Sequence, residues 1–152
     1  MVWIEATTEE SVLVRAEREA AFMLVKDIAT VGKLFPGVDR VDDRGGGVFR
    51  FLIAERSTLG VKFVGEYTNQ YTERGPETYA FESFEGNMKV RGAWVVRGPD
   101  GAITVSQRIT TELDVPVPRL LRAPVQLFAE RELSTGVKAQ LAGIRRLLES
   151  RG

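Results

Sequence analysis

Between Val48 and Leu113 the chain keeps its large apolar side chains on one parity, segment after segment. Phe49, Phe51 and Ile53 alternate with Arg50 and Leu52, and Val61 and Phe63 alternate with Lys62 and Val64. Tyr79 and Phe81 flank Ala80 and Glu82, and Val90 and Trp94 bracket Arg91 and Ala93. Ile103, Val105 and Ile109 alternate with Thr104, Ser106 and Arg108. Side chains on a strand point to opposite faces at period two, so the pattern predicts an antiparallel sheet with one apolar face and one wet face. The apolar face carries more aromatic bulk than a single short helix covers.

The remaining elements follow from propensity and punctuation. Trp3 to Arg15 reads as an opening strand, strongest at Val12, Leu13 and Val14. The period changes over Glu17 to Ile28, where Ala21, Leu24 and Ile28 share a helical face and Glu17 and Glu19 suit the first turn. A second short helix or turn runs through Val31, Leu34 and Phe35 until Pro36-Gly37 stops it. Val38 to Asp43 is a weak strand, and Arg44-Gly45-Gly46-Gly47 is a turn. Strands are then expected at Val48–Glu55, Val61–Tyr71, Thr78–Phe84, Lys89–Val96 and Ile103–Leu113. The breaks fall at Gly60, Gly75-Pro76, Gly86-Asn87 and the hairpin signal Gly98-Pro99-Asp100-Gly101.

The chain ends in a long helix from Val117 to about Ser150, with Pro124 in its first turn and Leu133, Val137, Leu141, Ile144 and Leu148 in an apolar stripe. The expected class is therefore α+β, in a single domain over residues 1–152. One long helix has to cover a sheet of about seven strands. A strongly curved antiparallel sheet wrapped around that helix solves the problem, and curvature leaves a cavity.

Composition removes several chemistries. Lys plus Arg and Asp plus Glu both number 21, so no global field draws in nucleic acid or an anionic membrane, and no nucleic-acid partner is expected. There is no cysteine and no histidine. Serine triads, histidine-ligated zinc and facial-triad iron sites are excluded, and any catalysis would fall to carboxylates, Tyr, Lys, Arg or bound water. Asp42-Asp43 and the three glycines lack the Lys-Ser/Thr and helix of a phosphate-binding loop. No metal and no cofactor is expected. The acidic N-terminal segment does not read as a signal peptide, and no run approaches the ~18 apolar residues of a transmembrane span. The default expectation is a cytoplasmic protein, with a homodimer left open.

The helix Ala20-Ala21-Phe22-Met23-Leu24-Val25-Lys26-Asp27-Ile28 is followed by Leu34-Phe35-Pro36-Gly37-Val38. Further on come Phe84-Glu85-Gly86, Gly92-Ala93-Trp94, the Gly98-Pro99-Asp100-Gly101 hairpin and the long final helix. Across nearly its whole length this layout resembles the START-like, or helix-grip, superfamily, which includes the birch-pollen-allergen fold. Within it, the chain is most similar to the polyketide cyclase/dehydrase and coenzyme Q-binding START-like proteins. The resemblance implies a curved sheet around a C-terminal helix, two short helices after the first strand, and a cavity for lipids, quinones, hormones or polyketides. It transfers no catalytic set, and fold alone does not decide function.

An inward aromatic parity would make a wall of Phe49, Phe51, Ile53, Phe63, Tyr67, Tyr79, Phe81, Trp94, Val105 and Ile109. Gln107, Ser83 and the phenols of Tyr67 and Tyr79 would be its few polar groups. Such a wall suits a lipophilic ligand with one polar end. The same rings could instead interlock as solid core, since interiors pack densely. On the final helix, Leu121, Val125, Phe128, Glu132, Gly136, Ala139 and Gly143 share a face. Its small residues leave room, and Glu132 could anchor a ligand hydroxyl or act as a base with raised pKa. Alternatively, the helix kinks near Ser134-Thr135-Gly136 and Glu132 turns to solvent. The expected function is binding of a lipophilic small molecule as carrier, chaperone or sensor. The alternative is a cyclase or dehydratase in which Glu132, Tyr67 or Tyr79 supplies acid–base chemistry.

Overall fold

A computed structural model describes residues 2–58 and 61–150 of the chain. It opens with strand β1 (Val2–Val14), helix α1 (Arg18–Lys26), helix α2 (Ile28–Val31) and a 3-10 turn, Gly32–Leu34. Strands β2 (Val38–Gly45), β3 (Val48–Ile53), β4 (Arg56–Thr58), β5 (Val61–Phe63) and β6 (Glu66–Glu73) follow. After β7 (Thr78–Gly86), β8 (Lys89–Arg97) and β9 (Ile103–Val115), the 3-10 turn Arg119–Leu121 leads into helix α3 (Arg122–Ser150). Seven strands form one antiparallel sheet in the order β1-β9-β8-β7-β6-β3-β2, and β4 and β5 form a separate two-stranded ribbon.

The longest pairing joins the two ends of the chain. β1 and β9 run in register from Val2 opposite Val115 to Val14 opposite Ile103. Their inward residues, among them Ile4, Ala6, Ile103, Val105 and Ile109, are buried. α3 packs mainly on β1. The expected stripe faces inward, with Leu133, Val137, Leu141, Ile144 and Leu148 all buried. Each such side chain taken from water stabilises the fold by roughly 1.5–3 kcal/mol. α1 and α2 close the other end with Ala21, Leu24, Val25, Ile28 and Val31.

The structure departs from the sequence reading at three places. The helix expected over Glu17–Ile28 stops at Lys26, because Asp27 leaves the helical region at ψ 72° and restarts the chain as α2. Its carboxylate accepts the Thr30 hydroxyl at 2.7 Å and its carbonyl accepts the Thr30 N–H, a local alternative that aspartate offers to a continuous helix. The strand expected over Val61–Tyr71 splits at Val64-Gly65, and the strand expected over Val48–Glu55 ends at Ile53, with the separate β4 forming beyond it where no strand was expected. Gly65 lies so close to Ile53 that a Cβ there would stand 3.0 Å from Ile53 Cγ1. The break expected at Gly60 and the inward parity expected of the Val61 side chain lie outside the described residues.

α3 does not break at Ser134-Thr135-Gly136; it is one helix of 29 residues. The small residues on its face make room for neighbours in the chain itself. A Cβ at Gly136 would sit 2.3 Å from Phe35 Cζ, and one at Gly143 would sit 3.2 Å from Leu34 Cδ2. The segment after α2 thus hooks across the helix through two side chains, and absence of a Cβ is what admits them.

Strand β8 carries a comparable close approach. A Cβ on Gly92 would stand 2.0 Å from the Arg108 carbonyl oxygen and 2.9 Å from Phe81 Cζ. A glycine in a strand interior marks such an approach of neighbouring backbone. Gly92→Ala is expected to lower the unfolding free energy by about 1–3 kcal/mol through overpacking. Urea unfolding checks this, and an unchanged midpoint at unchanged slope contradicts the close approach.

Candidate functional site

The concave face of the sheet is wider than α3, and the uncovered part encloses a cavity of about 240 Å³. Its sheet wall is built from the inward parity. Phe51 of β3 stacks on Tyr67 of β6 at 4.8 Å with an interplanar angle of 11°. Phe81, Trp94, Gln107 and Ile109 carry the wall across β7, β8 and β9, and Phe63 reaches it from the ribbon. α3 contributes Val125, Phe128 and Glu132. These ten residues are the expected site residues that the structure brings together.

Three others go elsewhere. Phe49 and Tyr79 are buried around Tyr71, the first edge-on at 5.6 Å and the second stacked at 5.2 Å. Ser83 uses its hydroxyl to accept the Val90 N–H at 2.9 Å, where β7 carries a bulge, so it mends the ladder. The parity that points a side chain inward does not distinguish core from cavity wall. That distinction depends on where α1 and α2 sit.

Several wall residues were not singled out from the sequence. Asn69 and Tyr71 follow Tyr67 on β6 at steps of two, so extending the parity would have found them. Gln140 interrupts the apolar stripe of α3, and its burial at 5% exposure has a structural cause. Gln107 Nε2 donates to Gln140 Oε1 at 2.9 Å, and Gln140 Nε2 donates to the Val31 carbonyl at 2.8 Å. The pair ties β9, α3 and the end of α2 together and satisfies a helix-end carbonyl. Arg56 gave no signal in the sequence, because its role depends on the ribbon folding over the end of the sheet.

Glu132 is half-exposed at the rim and forms an ion pair with the half-exposed Arg56 guanidinium of β4. Phe128 stands beside it on α3, 41% exposed. The rim is thus charged and paired, whereas the interior is apolar apart from phenols and amides. Burial pushes the Tyr67 phenol well above its ordinary range. Burial also raises Tyr71, with a further push from Tyr67, and Asn69 acts in the opposite direction. Tyr79 is raised by burial and then by Glu73 and Asp43. All three phenols are therefore protonated and neutral at neutral pH, and can serve as donors but not as bases. Among the described residues no cluster of acidic groups is arranged to hold a metal ion.

A curved antiparallel sheet that grips one long helix beneath an apolar cavity is the START-like, helix-grip fold. Residues 5–149 match the model of the family described as "Polyketide cyclase / dehydrase and lipid transport", and the chain belongs to that family. Solved structures share the fold at low identity. The di-domain ARO/CYC StfQ from the steffimycin biosynthetic pathway superposes with a TM-score of 0.68 at 13% identity, over 97% of this chain and 52% of that one. The chain therefore spans about half the length of StfQ. The Zhui aromatase/cyclase from a Streptomyces species gives 0.62 at 16% identity, covering 93% of this chain and 94% of that one. A START superfamily protein from Mycobacterium smegmatis gives 0.63 at 16%, over 93% and 98%. A search of curated proteins found no match. Among the described residues no helix is long and apolar enough to cross a membrane.

The raised phenols set the alkaline behaviour of the fold. A phenol whose folded pKa exceeds its unfolded value contributes stability that is complete below the unfolded value, near 10, and declines as pH rises above it. In a spectrophotometric titration Tyr67 and Tyr71 of the folded chain should give no phenolate step near pH 10, whereas the urea-unfolded chain should give a step from all three tyrosines. A normal step from two or more of them in the folded chain contradicts the burial of Tyr67 and Tyr71.

Proposed function

We propose that this protein binds a hydrophobic small molecule, of lipid-, quinone-, fatty-acyl- or polyketide-like character, in the cavity between the sheet and α3. The observation that carries this reading is the cavity itself. Its walls are almost entirely apolar and aromatic side chains, with a few amides and phenols to orient a polar end, the usual composition of a small-molecule site. A carrier, chaperone or sensor needs nothing more. The half-exposed Phe128 beside the cavity offers an apolar approach for such a ligand.

A bound ligand stabilises the folded state by mass action, about 2.7 kcal/mol at a hundredfold excess over Kd. Members of a panel of quinones, fatty acids and polyketide-like aromatics are expected to raise Tm. Ile109→Phe, and from the opposite wall Val125→Phe, extend side chains into the cavity. Either is expected to weaken binding by about tenfold or more while Tm stays near or above that of the parent, because the added atoms fill space. A full panel without a Tm shift overturns the binding reading. So does unchanged affinity in both variants.

The second reading is a cyclase or dehydratase, favoured by Glu132 at the cavity rim and by the aromatase/cyclases that share the fold. Its requirement is a carboxylate able to take a proton, and here Glu132 is engaged by Arg56. Under the binding reading Glu132→Gln changes ligand affinity by no more than about fivefold, since a half-exposed pair contributes at most ~1 kcal/mol. Turnover of a polyketide-like substrate that falls by about a hundredfold or more in Glu132→Gln supports the enzyme instead.

A further inference from the structure

One polar group in the cavity wall is only partly used by the fold: the Asn69 side chain meets the Tyr71 phenol, and its amide oxygen is left over. Asn69 lies in the middle of β6, 1% exposed, and lines the cavity. Among the described residues its Oδ1 is the one buried side-chain oxygen or nitrogen without a hydrogen-bond partner. Leaving a buried acceptor unmade carries the full desolvation penalty, and such groups in native proteins call for an explanation. An apolar side chain of the same size would avoid that penalty here.

The surroundings restrict what could pair with Oδ1. The neighbouring amides are already committed, Gln107 Nε2 to Gln140 and Gln140 Nε2 to Val31. Tyr67 and Tyr71, two residues to either side on β6, present neutral phenols. The charged residues that line the cavity, Arg56 and Glu132, neutralise each other at the rim. The interior therefore offers neutral phenol donors, the Asn69 acceptor and no cation. An anionic headgroup placed against Asn69 would be desolvated without a counterion, which is strongly unfavourable. A ligand that carries only acceptors, such as a quinone, can meet the phenols but leaves Oδ1 unpaired.

Resting on the binding function proposed above, we propose that the preferred ligand is an uncharged, mainly apolar molecule whose hydroxyl or phenol donates a hydrogen bond to Asn69 Oδ1. The rings of Phe51, Tyr67, Phe81 and Trp94 suit a cyclic or aromatic body for that molecule. Selection works through the unpaired acceptor. A ligand lacking the donor leaves the acceptor unpaired, which discriminates more strongly than the loss of an apolar contact does.

Equilibrium dialysis of the full chain against four probes of one ring system tests this: 1-naphthol, naphthalene, 1,4-naphthoquinone and 1-naphthoate. The parent is expected to bind 1-naphthol about tenfold or more tightly than naphthalene or the quinone, with 1-naphthoate weakest. In Asn69→Leu the naphthol-to-naphthalene ratio falls to about one, and the empty variant melts no lower than the parent because the orphaned acceptor is gone. Equal binding of naphthol and naphthalene by the parent overturns the inference while leaving hydrophobic binding intact. A preference for the quinone or the naphthoate does the same, as does a ratio that survives in Asn69→Leu. Failure of all four probes to bind overturns the binding function itself, and this inference with it.

Discussion

A single long helix covers the concave face of a seven-stranded sheet, and most of what is distinctive in this molecule follows from that mismatch. α3 seats its apolar stripe mainly on β1, at one edge of the sheet, where the pairing with β9 is longest. Farther along, Gly136 and Gly143 receive Phe35 and Leu34, so the hook after α2 fills the space beside the helix. Neither device reaches the centre of the sheet. Dense packing is the rule in protein interiors, and a cavity lined by large aromatic rings forgoes contacts that a solid core would make.

Polar groups divide cleanly between the two faces of the sheet. On the wet face Arg50 pairs with Glu66 at 3.0 Å, Arg91 with Glu112 at 2.8 Å and Arg97 with Glu77 at 3.0 Å. Such surface pairs contribute little to stability, and their main effect is to keep that face in water. Inside, charge is absent from the described wall away from the rim, and amides and phenols take its place. The Gln107–Gln140–Val31 chain is structural because every link is made. Asn69 differs because its Oδ1 has no hydrogen-bond partner, and the proposed selectivity rests on that one atom.

Much of this was legible in the sequence, for identifiable reasons. Period-two sorting is a direct consequence of strand geometry, so the sheet, its apolar face and the inward direction of Phe51, Phe81, Trp94 and Ile109 could be read from parity. The stripe of α3 and the family resemblance were readable in the same way, and the family match over residues 5–149 agrees with them. What could not be read was set by contacts distant in sequence. Phe49 and Tyr79 share the inward parity of Phe51 and Phe81, yet their rings pack around Tyr71 in the core. The alternative of a kink near Ser134-Thr135-Gly136 is not realised in the continuous α3, and the Phe35 ring packed against Gly136 accounts for that glycine. Glu132 could be placed on its face, but the Arg56 partner depends on a ribbon whose first strand, Arg56–Thr58, fell between two expected strands.

The central claim is that the space between the sheet and α3 holds a hydrophobic ligand rather than serving as a packing defect. Native mass spectrometry of the full chain, purified without detergent, tests it most directly when followed by solvent extraction and identification of whatever is released. A bound fraction is expected, with a discrete added mass that disappears on denaturation and is depleted in Ile109→Phe. Protein that carries no added mass, and acquires none on incubation with the extracted lipids of its expression host, would contradict it.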